Sequence, residues 1–219
     1  MRLRLVLTLL AVAALGAGPV SAVRVDDWEA GAAGPLDLNA IWRRYPPGKS
    51  APFKHPPAIV HDDGRPVLQL RTEGEAMRVG RQVKVDVKKT PWLTWEWKPL
   101  VLPDGGDVRD YRRNDQAGRI MLVFEGMRAL LYVWDTTAPV GATSGPDGLD
   151  MFQRALIVVR SGPPGLGRWH REQRDVAEDY RRVFEDDPRP IKWVGLESHS
   201  NDTNTRTWVM FGRVQFEAR

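Results

Sequence analysis

The sequence has no cysteine among its 219 residues, which excludes disulfide bonds, thiolate metal sites and a cysteine nucleophile. It also has little excess of either charge, because 32 lysines and arginines stand against 28 aspartates and glutamates. No basic stripe alternates with aromatic side chains, so we expect no nucleic-acid partner. Several catalytic signatures are missing as well: there is no Gly-x-Ser-x-Gly elbow, no His-Glu-x-x-His pair and no phosphate-binding loop.

A long apolar run occurs at the N-terminus. Arg2 and Arg4 precede an apolar stretch from residue 5 to residue 17, and Val20-Ser-Ala22 fits the small-x-small pattern of a cleavage site. The run is shorter than the roughly 20 residues that a spanning helix needs. We therefore predict a cleaved signal peptide over residues 1–22 and an exported protein, periplasmic or secreted, with no membrane span after cleavage.

Short segments of strand character lie between the 17 prolines and 20 glycines. In Trp92–Lys98, Leu93, Trp95 and Trp97 alternate with polar residues, which is the period of a half-buried strand. The further predicted strands are Pro66–Arg71, Val79–Val87, Arg119–Phe124, Ala129–Trp134, Ala155–Arg160, Arg168–Arg174, Ile191–Glu197 and Arg206–Phe216. This spacing predicts an all-β fold, a two-sheet antiparallel β-sandwich.

One short helix is expected after Asp175, which with Glu178 resembles a capping box. Val176, Tyr180 and Phe184 then fall on one helical face. Residues 31–57 are rich in proline and glycine, and we expect them to wrap the sandwich. Residues 23–219 are predicted to form a single domain.

The order of several motifs resembles DUF3047, a bacterial family of secreted proteins of unknown function. The motifs are Val25-Asp-Asp-Trp-Glu29, Pro91-Trp-Leu-Thr-Trp-Glu-Trp97, Leu102-Pro-Asp-Gly-Gly-Asp107, Asn114-Asp-Gln-Ala-Gly-Arg119, Leu131-Tyr-Val-Trp134, Val158-Val-Arg-Ser-Gly162, Trp169-His-Arg-Glu-Gln-Arg-Asp175, Asp179-Tyr-Arg-Arg-Val-Phe184 and Asp202-Thr-Asn-Thr205. The resemblance covers nearly the whole predicted mature chain. It implies a jelly-roll sandwich similar to the galactose-binding-like modules that bind carbohydrates, and it brings no established activity.

Aromatic residues are the first candidates for a binding site. Tyr132 and Trp134 lie on a strand that is apolar on both faces, so one face must be covered or must line a cleft. In a cleft, these rings and Trp97 would stack on the apolar face of a sugar. The alternative is that the rings belong to the core or lie beneath residues 31–57.

Charged residues in or beside apolar strands are the second candidates. Arg119 opens a strand that is otherwise apolar, and we expect Asp115 or Asp179 to pair with it. Such a cluster is either a salt-bridge network that fixes the helix to the sheet or the polar floor of a site for sugar hydroxyls or a uronate. The set is Asp107, Asp115, Arg119, Arg160, Glu172, Arg174 and Asp179.

A structural calcium ion is a further possibility, although we expect no required cofactor. Asp27 and Glu29 near the N-terminus, and Asp202 and Asn204 near the C-terminus, offer the oxygen ligands that calcium prefers. Ordinary turn and cap chemistry is the alternative.

Three functions remain open at this stage. We favour a non-catalytic binding module for a glycan or other polyol. The alternatives are a structural or envelope-interaction protein without a small ligand, and a polysaccharide hydrolase or lyase whose cleft would bring together Asp115, His170, Glu172 or Tyr180. The sequence indicates no particular oligomeric state.

Overall fold

The computed structural model describes residues 22–30, 32–45, 52–147 and 152–219. The predicted signal peptide lies outside these residues, except for Ala22, which begins the first strand. The strands are β1 (Ala22–Arg24), β2 (Gly34–Pro35), β3 (Arg43–Arg44), β4 (Ala58–Asp62), β5 (Arg65–Glu73), β6 (Ala76–Val85), β7 (Trp92–Val101), β8 (Gly118–Phe124), β9 (Arg128–Asp135), β10 (Thr143–Asp147), β11 (Gln153–Ser161), β12 (His170–Asp175), β13 (Ile191–His199) and β14 (Arg206–Glu217).

The strands form two sheets of seven strands each, which confirms the predicted sandwich. Sheet A has the order β12-β7-β14-β5-β4-β2, with β1 paired to β14. Sheet B has the order β10-β11-β9-β8-β13-β6-β3. The pairing is antiparallel except between β9 and β11, which run parallel because the intervening β10 turns back along the outer edge of β11.

The core between the sheets is built from the alternation that the sequence predicts on β7. Leu93, Trp95 and Trp97 are at most 1% exposed and point toward sheet B. Trp95 stacks on Tyr132 with a centroid distance of 5.3 Å, and Trp97 meets Trp134 edge-on at 5.8 Å. These aromatic contacts join the two sheets.

The predicted helix is present as α1 (Val176–Phe184). The Asp175 carboxylate caps it by accepting a hydrogen bond from the Glu178 backbone N–H at 2.9 Å. Tyr180 packs on Phe124 at a centroid distance of 4.6 Å, so the helix covers one end of the core. In the described part of the chain, no helix has the length and apolar character needed to cross a membrane.

Sheet B is apolar on its outer face as well, the face turned away from sheet A. A second cluster of buried side chains lies there, separate from the core between the sheets. Residues 32–45 cross from β2 in sheet A to β3 at the edge of sheet B, and thereby bring Tyr45 to this face. The members of the second cluster are Val108, Met121, Val123, Ala129, Leu131, Val133, Ala138, Leu156, Val158 and Trp193.

Candidate functional site

A β-bulge at Lys192 places a tryptophan on the outer face of sheet B. Ile191 lies opposite Phe124 of β8 and Trp193 lies opposite Val123, so Lys192 is one residue more than β8 can pair. Residues two apart on a regular strand face the same side, but here Ile191 enters the core and Trp193 points outward. The bulge thus directs the indole away from the core.

A groove of about 580 Å³ lies around this tryptophan. Tyr45 and Trp193 form part of its lining, with ring centroids 5.7 Å apart and planes tilted by 39°. Phe152 and the half-exposed Met127 add apolar surface. The polar side chains that line the groove are Gln82, Lys84, Glu125 and Lys192.

A glycine allows the indole to lie close to the sheet. A Cβ atom on Gly80 of β6 would lie 2.3 Å from the Trp193 Nε1 atom and 2.6 Å from the Val194 carbonyl oxygen. Gly80 pairs in register with Gly195 of β13, where a Cβ would lie 3.0 Å from the Met121 Cε. Two adjacent strands therefore present a flat patch on which the neighbouring side chains rest.

Next to the groove, the same face of sheet B carries a buried charged cluster. Glu197 lies between Arg78 of β6 and Arg119 of β8 in the sheet register. Its Oε2 atom is 3.4 Å from the Arg78 Nε, 3.9 Å from the Arg119 Nη1 and 3.2 Å from the His199 Nε2. The Arg78 Nε–H also donates a hydrogen bond to the His199 Nε2 at 3.0 Å. We call Arg78, Arg119, Glu197 and His199 the buried charged cluster.

The surroundings of this cluster fix its charge state near neutral pH. Burial alone would raise the pKa of Glu197, but contact with His199 and the charges of Arg78 and Arg119 outweigh it and hold the pKa below its usual range. Burial and the charge of Arg119 lower the pKa of His199. Glu197 is therefore ionised and the His199 imidazole is neutral.

Several polar atoms at this face have no hydrogen-bond partner within the described part of the chain. They are enclosed carboxylate and amide oxygens together with donor nitrogens: Glu197 Oε1 and Oε2, Asp115 Oδ1, Gln116 Oε1, Arg119 Nε and Trp193 Nε1. Buried polar atoms are normally paired, and unpaired ones mark places where water, an ion or a ligand group is expected. A hydroxyl group satisfies both kinds of atom, because it donates one hydrogen bond and accepts others.

Most of the site residues predicted from the sequence meet elsewhere, at the edge of the sandwich where β12 approaches β9 and β11. The Glu172 carboxylate accepts hydrogen bonds from the Trp97 Nε1 at 3.1 Å and from the Arg160 guanidinium. Arg160 in turn lies over the Trp134 ring at 5.6 Å. The rings of Trp97 and Trp134 are themselves fully buried.

The rest of this edge cluster is centred on Asp179 of α1. Its carboxylate accepts hydrogen bonds from the Tyr132 hydroxyl at 2.9 Å, from two Arg174 nitrogens at 2.6 and 2.8 Å and from Arg182 at 2.9 Å. Burial would raise the pKa of Asp179, but the bonds from Arg174 and Arg182 outweigh it and lower that pKa. This carboxylate links the helix to β12 of sheet A and to β9 of sheet B, which is the arrangement expected of a structural network.

The three remaining predicted residues lie apart from this edge. Asp107 accepts hydrogen bonds from Arg109 and from the Thr137 hydroxyl. Asp115 accepts hydrogen bonds from the Thr203 backbone N–H and hydroxyl at 2.7 and 2.8 Å. Among the described residues, the carboxylate within ion-pair distance of Arg119 is Glu197, and neither Asp115 nor Asp179 occupies that place.

Three of the four residues suggested for calcium already have protein partners. Asp27 accepts a hydrogen bond from the Trp42 Nε1 at 2.7 Å, and Glu29 pairs with Arg24. Asp202 accepts a hydrogen bond from the Asn201 side chain, and Asn204 takes a left-handed backbone conformation with φ of 53°. Where the structure describes the chain, no three His, Asp or Glu side chains are grouped as metal ligands. A calcium site stays a prediction.

Sequence reasoning did not single out Tyr45, Arg78, Trp193, Glu197 or His199. The signal for two of them is the one that drew attention to Arg119: Glu197 and His199 are ionisable residues that follow the apolar run Trp193-Val-Gly-Leu196 on one strand. Trp193 gave no such signal, because regular alternation places it on the same face as Ile191.

Comparison with known proteins identifies one family. The sequence model of DUF3047, described as a protein of unknown function, matches residues 54–215. The sequence matches no curated protein.

Comparison with solved structures gives matches at low similarity. The xyloglucanase domain of NopAA, a type three effector from Sinorhizobium fredii solved in complex with cellobiose, has a TM-score of 0.49 at 9% identity, over 81% of this chain and 93% of that one. Endoglucanase cel12A from Rhodothermus marinus has a TM-score of 0.49 at 9% identity, over 91% and 97% of the two chains. A carbohydrate-binding module specific for non-crystalline cellulose, CBM28, has a TM-score of 0.21 at 13% identity, over 74% of each chain.

Proposed function

The chain belongs to the DUF3047 family, and we propose that it is an exported protein that binds a glycan or another polyol without altering it. The binding site is the groove on the outer face of sheet B. Export rests on the N-terminal sequence, where two arginines, an apolar run and a small-x-small motif follow one another.

One observation carries the binding proposal: the groove combines an aromatic lining with polar side chains at its margin. The tilted Tyr45–Trp193 pair and Phe152 offer apolar surface for the C–H face of a sugar ring. Gln82 and Lys84 stand beside them with groups that hydrogen-bond hydroxyls. The volume of the groove, about 580 Å³, is within the range of small-molecule sites.

Hydrogen-bond satisfaction separates this groove from the cluster at the edge of the sandwich. Both partners of the Glu172 carboxylate and all four donors to Asp179 belong to the protein itself. On the outer face of sheet B, in contrast, the Nε1 of Trp193 in the groove and buried oxygens of Glu197 and Asp115 beside it have no hydrogen-bond partner within the described residues, although the Glu197 carboxylate is ion-paired with Arg78. The second place is therefore the better candidate for a ligand.

The test is a glycan-array screen of the purified protein with and without calcium, followed by calorimetry on any hit. We expect Trp193→Ala to weaken binding about tenfold or more, since stacking and packing at an aromatic anchor contribute on the order of 2 kcal/mol. Trp169→Ala is the control for removing a tryptophan outside the groove, because Trp169 lies near Gly212 on sheet A; it is more exposed than Trp193, which is 9% exposed. Equal affinities for the two variants would contradict a site in the groove.

A negative screen would also be informative. If the folded protein binds no glycan with or without calcium, the structural or envelope role replaces the binding role. Loss of binding only on chelation would instead support the calcium prediction.

A second function has one specific observation in its favour. Tyr45 lies beside Arg78, whose carbonyl accepts a hydrogen bond from the Tyr45 backbone N–H, and His199 accepts one from the Arg78 side chain. Tyrosine and histidine side chains can transfer protons and an arginine can neutralise charge, which are the roles that cleavage of a polysaccharide by a lyase would need. Chromatography of a bound glycan after prolonged incubation distinguishes the two functions, since shortened products that disappear in His199→Gln would establish catalysis.

A further inference from the structure

A second cavity, of about 440 Å³, lies on the outer face of sheet A. It opens where β5, β7 and β14 run side by side, and Arg71 pairs in register with Trp208. Their strand neighbours Leu70 and Val209 are fully buried in the core, so Arg71 and Trp208 point away from it. The lining residues are His55, Arg71, Thr72, Glu73, Val101, Arg206, Thr207 and Trp208.

The orientation of one arginine in this cavity is set by its neighbours. The Arg71 guanidinium lies over the Trp208 ring with its carbon 4.6 Å from the ring centroid. The indole is fixed in turn, because its Nε1–H donates a hydrogen bond to the Gln69 Oε1 at 3.1 Å. A guanidinium that stacks on an aromatic face keeps its N–H groups free at its edge, where they can bind an oxyanion in bidentate fashion.

The charges around the cavity favour an anion. Within the described residues, neither Arg71 nor Arg206 has a carboxylate within ion-pair distance, although Glu73 lies opposite Arg206 in the register. The Glu73 carboxylate instead lies 3.9 Å from the His55 Nε2. Two guanidinium groups thus line one cavity with a single carboxylate among the lining residues.

From this geometry we propose that the cavity binds the oxyanion group of a ligand, a carboxylate, sulfate or phosphate, between Arg71 and Arg206. Trp208 acts as a positioning residue, because it orients the Arg71 guanidinium. The site is separate from the groove that we propose for glycan binding, since the two lie on the outer faces of different sheets.

Calorimetry at low ionic strength with four probes tests this site: inorganic sulfate, inorganic phosphate, glucuronate and neutral glucose. We expect at least one of the three anions to bind and glucose not to bind. Arg71→Gln and Arg206→Gln should each weaken anion binding about tenfold, which corresponds to the loss of one charge-assisted hydrogen bond. Added salt should also weaken it. The anion that binds most tightly shows whether the ligand's oxyanion is a sulfate, a phosphate or a carboxylate.

Two further variants complete the test. Arg171→Gln removes the same charge from β12, at the edge of sheet A, and should leave the affinity unchanged. Trp208→Phe should retain most of the affinity, whereas Trp208→Ala should lose it to a similar extent as Arg71→Gln. No binding of any anion, or an equal loss in Arg171→Gln and Arg71→Gln, would overturn the proposal. Trp193→Ala should not affect anion binding. A failure of the anion-site proposal can therefore be told apart from a failure of the glycan-binding proposal.

Discussion

A single glycine shapes the groove on sheet B, and its replacement is the first prediction. A Cβ on Gly80 would collide with the Trp193 indole and with the Val194 carbonyl, which belongs to the paired strand and cannot move freely. We expect Gly80→Ala to lower the free energy of unfolding by roughly 1–3 kcal/mol, as in other overpacked sites, and to weaken glycan binding by displacing the indole. Urea unfolding monitored by tryptophan fluorescence measures the first effect.

Gly118→Ala provides the comparison for this prediction. A Cβ at Gly118 would approach its nearest neighbour, the Val209 Cγ2, only to 3.2 Å, and a side-chain methyl group can shift. The loss of stability should therefore be smaller than for Gly80→Ala. The packing of Trp193 on Gly80 would be refuted if the two variants unfolded at the same urea concentration.

The buried charged cluster makes stability depend on pH in a definite direction. The folded state lowers the pKa of His199 from its ordinary 6.5, so below that pH the unfolded chain binds a proton that the folded chain does not. The pKa of Glu197 is also lowered, from an ordinary 4.5, and acts in the same direction at lower pH. The free energy of unfolding should therefore fall as the pH falls below about 6.5.

His199→Gln tests this prediction, because glutamine has no proton to take up in this range. Between pH 7.5 and pH 5, chemical unfolding of the variant should lose less stability than that of the natural chain. His61→Gln, which removes an exposed histidine of β4, is the control for the substitution itself. Identical pH profiles for the natural chain and His199→Gln would contradict the burial of a neutral imidazole.

At this scale, sequence reasoning recognised Arg119 and failed to find its partner. A charged residue in an apolar strand is visible in one sequence, and so is the need for a counter-charge. The identity of that carboxylate depends on which strand is the neighbour. Because β8 pairs with β13, Glu197 lies next to Arg119 although the two residues are 78 positions apart in the sequence. A single sequence carries no information on that pairing.

Among the elements, helix α1 depends on one carboxylate that joins it to both sheets. Asp179→Ala would leave the Tyr132 hydroxyl and the Arg174 guanidinium without their partner. Because Arg174 is about one-third exposed, water compensates part of the loss, and we expect a cost of about 2 kcal/mol rather than the larger cost of a fully buried pair. Thermal unfolding measures it.

Asp186→Ala is the matched variant for this prediction. Asp186 also accepts a hydrogen bond from an arginine, Arg128, but its carboxylate is 46% exposed, so the loss of stability should be smaller than for Asp179→Ala. Glycan binding in the groove should survive in both variants. Loss of binding in Asp179→Ala at a temperature where it is folded would instead make the edge cluster part of the binding site.

The elements themselves were largely predictable, because burial on one face imposes a period on the sequence. The alternation of Leu93, Trp95 and Trp97 correctly gave the core face of β7, and Asp175 marked the start of α1. The bulge at Lys192 and the parallel pairing of β9 with β11 were not predictable. Both depend on the register and direction of neighbouring strands, which leave no periodic trace in the residues concerned.

For the whole molecule, the N-terminal segment connects the two sheets and closes the sandwich. β1 pairs with the last strand, β14, and the Trp28 Nε1 donates a hydrogen bond to the Gly212 carbonyl of that strand at 2.9 Å. From the other sheet, Arg81 of β6 donates a hydrogen bond to the Val25 carbonyl at 2.8 Å. The first described residues thus contact both sheets, and the first and last described strands pair in one sheet.

This connection predicts that the molecule unfolds as one unit and that Asp26 is important for it. Its buried carboxylate accepts a hydrogen bond from the Val214 backbone N–H at 2.7 Å, next to an irregularity in the pairing of β14 with β7. Asp26→Ala leaves that N–H without its partner, which should cost about 1–3 kcal/mol. Arg24 pairs with Asp26 and also with the exposed Glu29, so Glu29→Ala is the comparison and should change stability less than Asp26→Ala. Far-ultraviolet circular dichroism and tryptophan fluorescence should give coincident urea transitions for the natural chain, and both should shift together in Asp26→Ala. Separate transitions would mean that the N-terminal segment detaches before the sheets unfold, and that the position of Tyr45 in the groove is not tied to the stability of the sandwich.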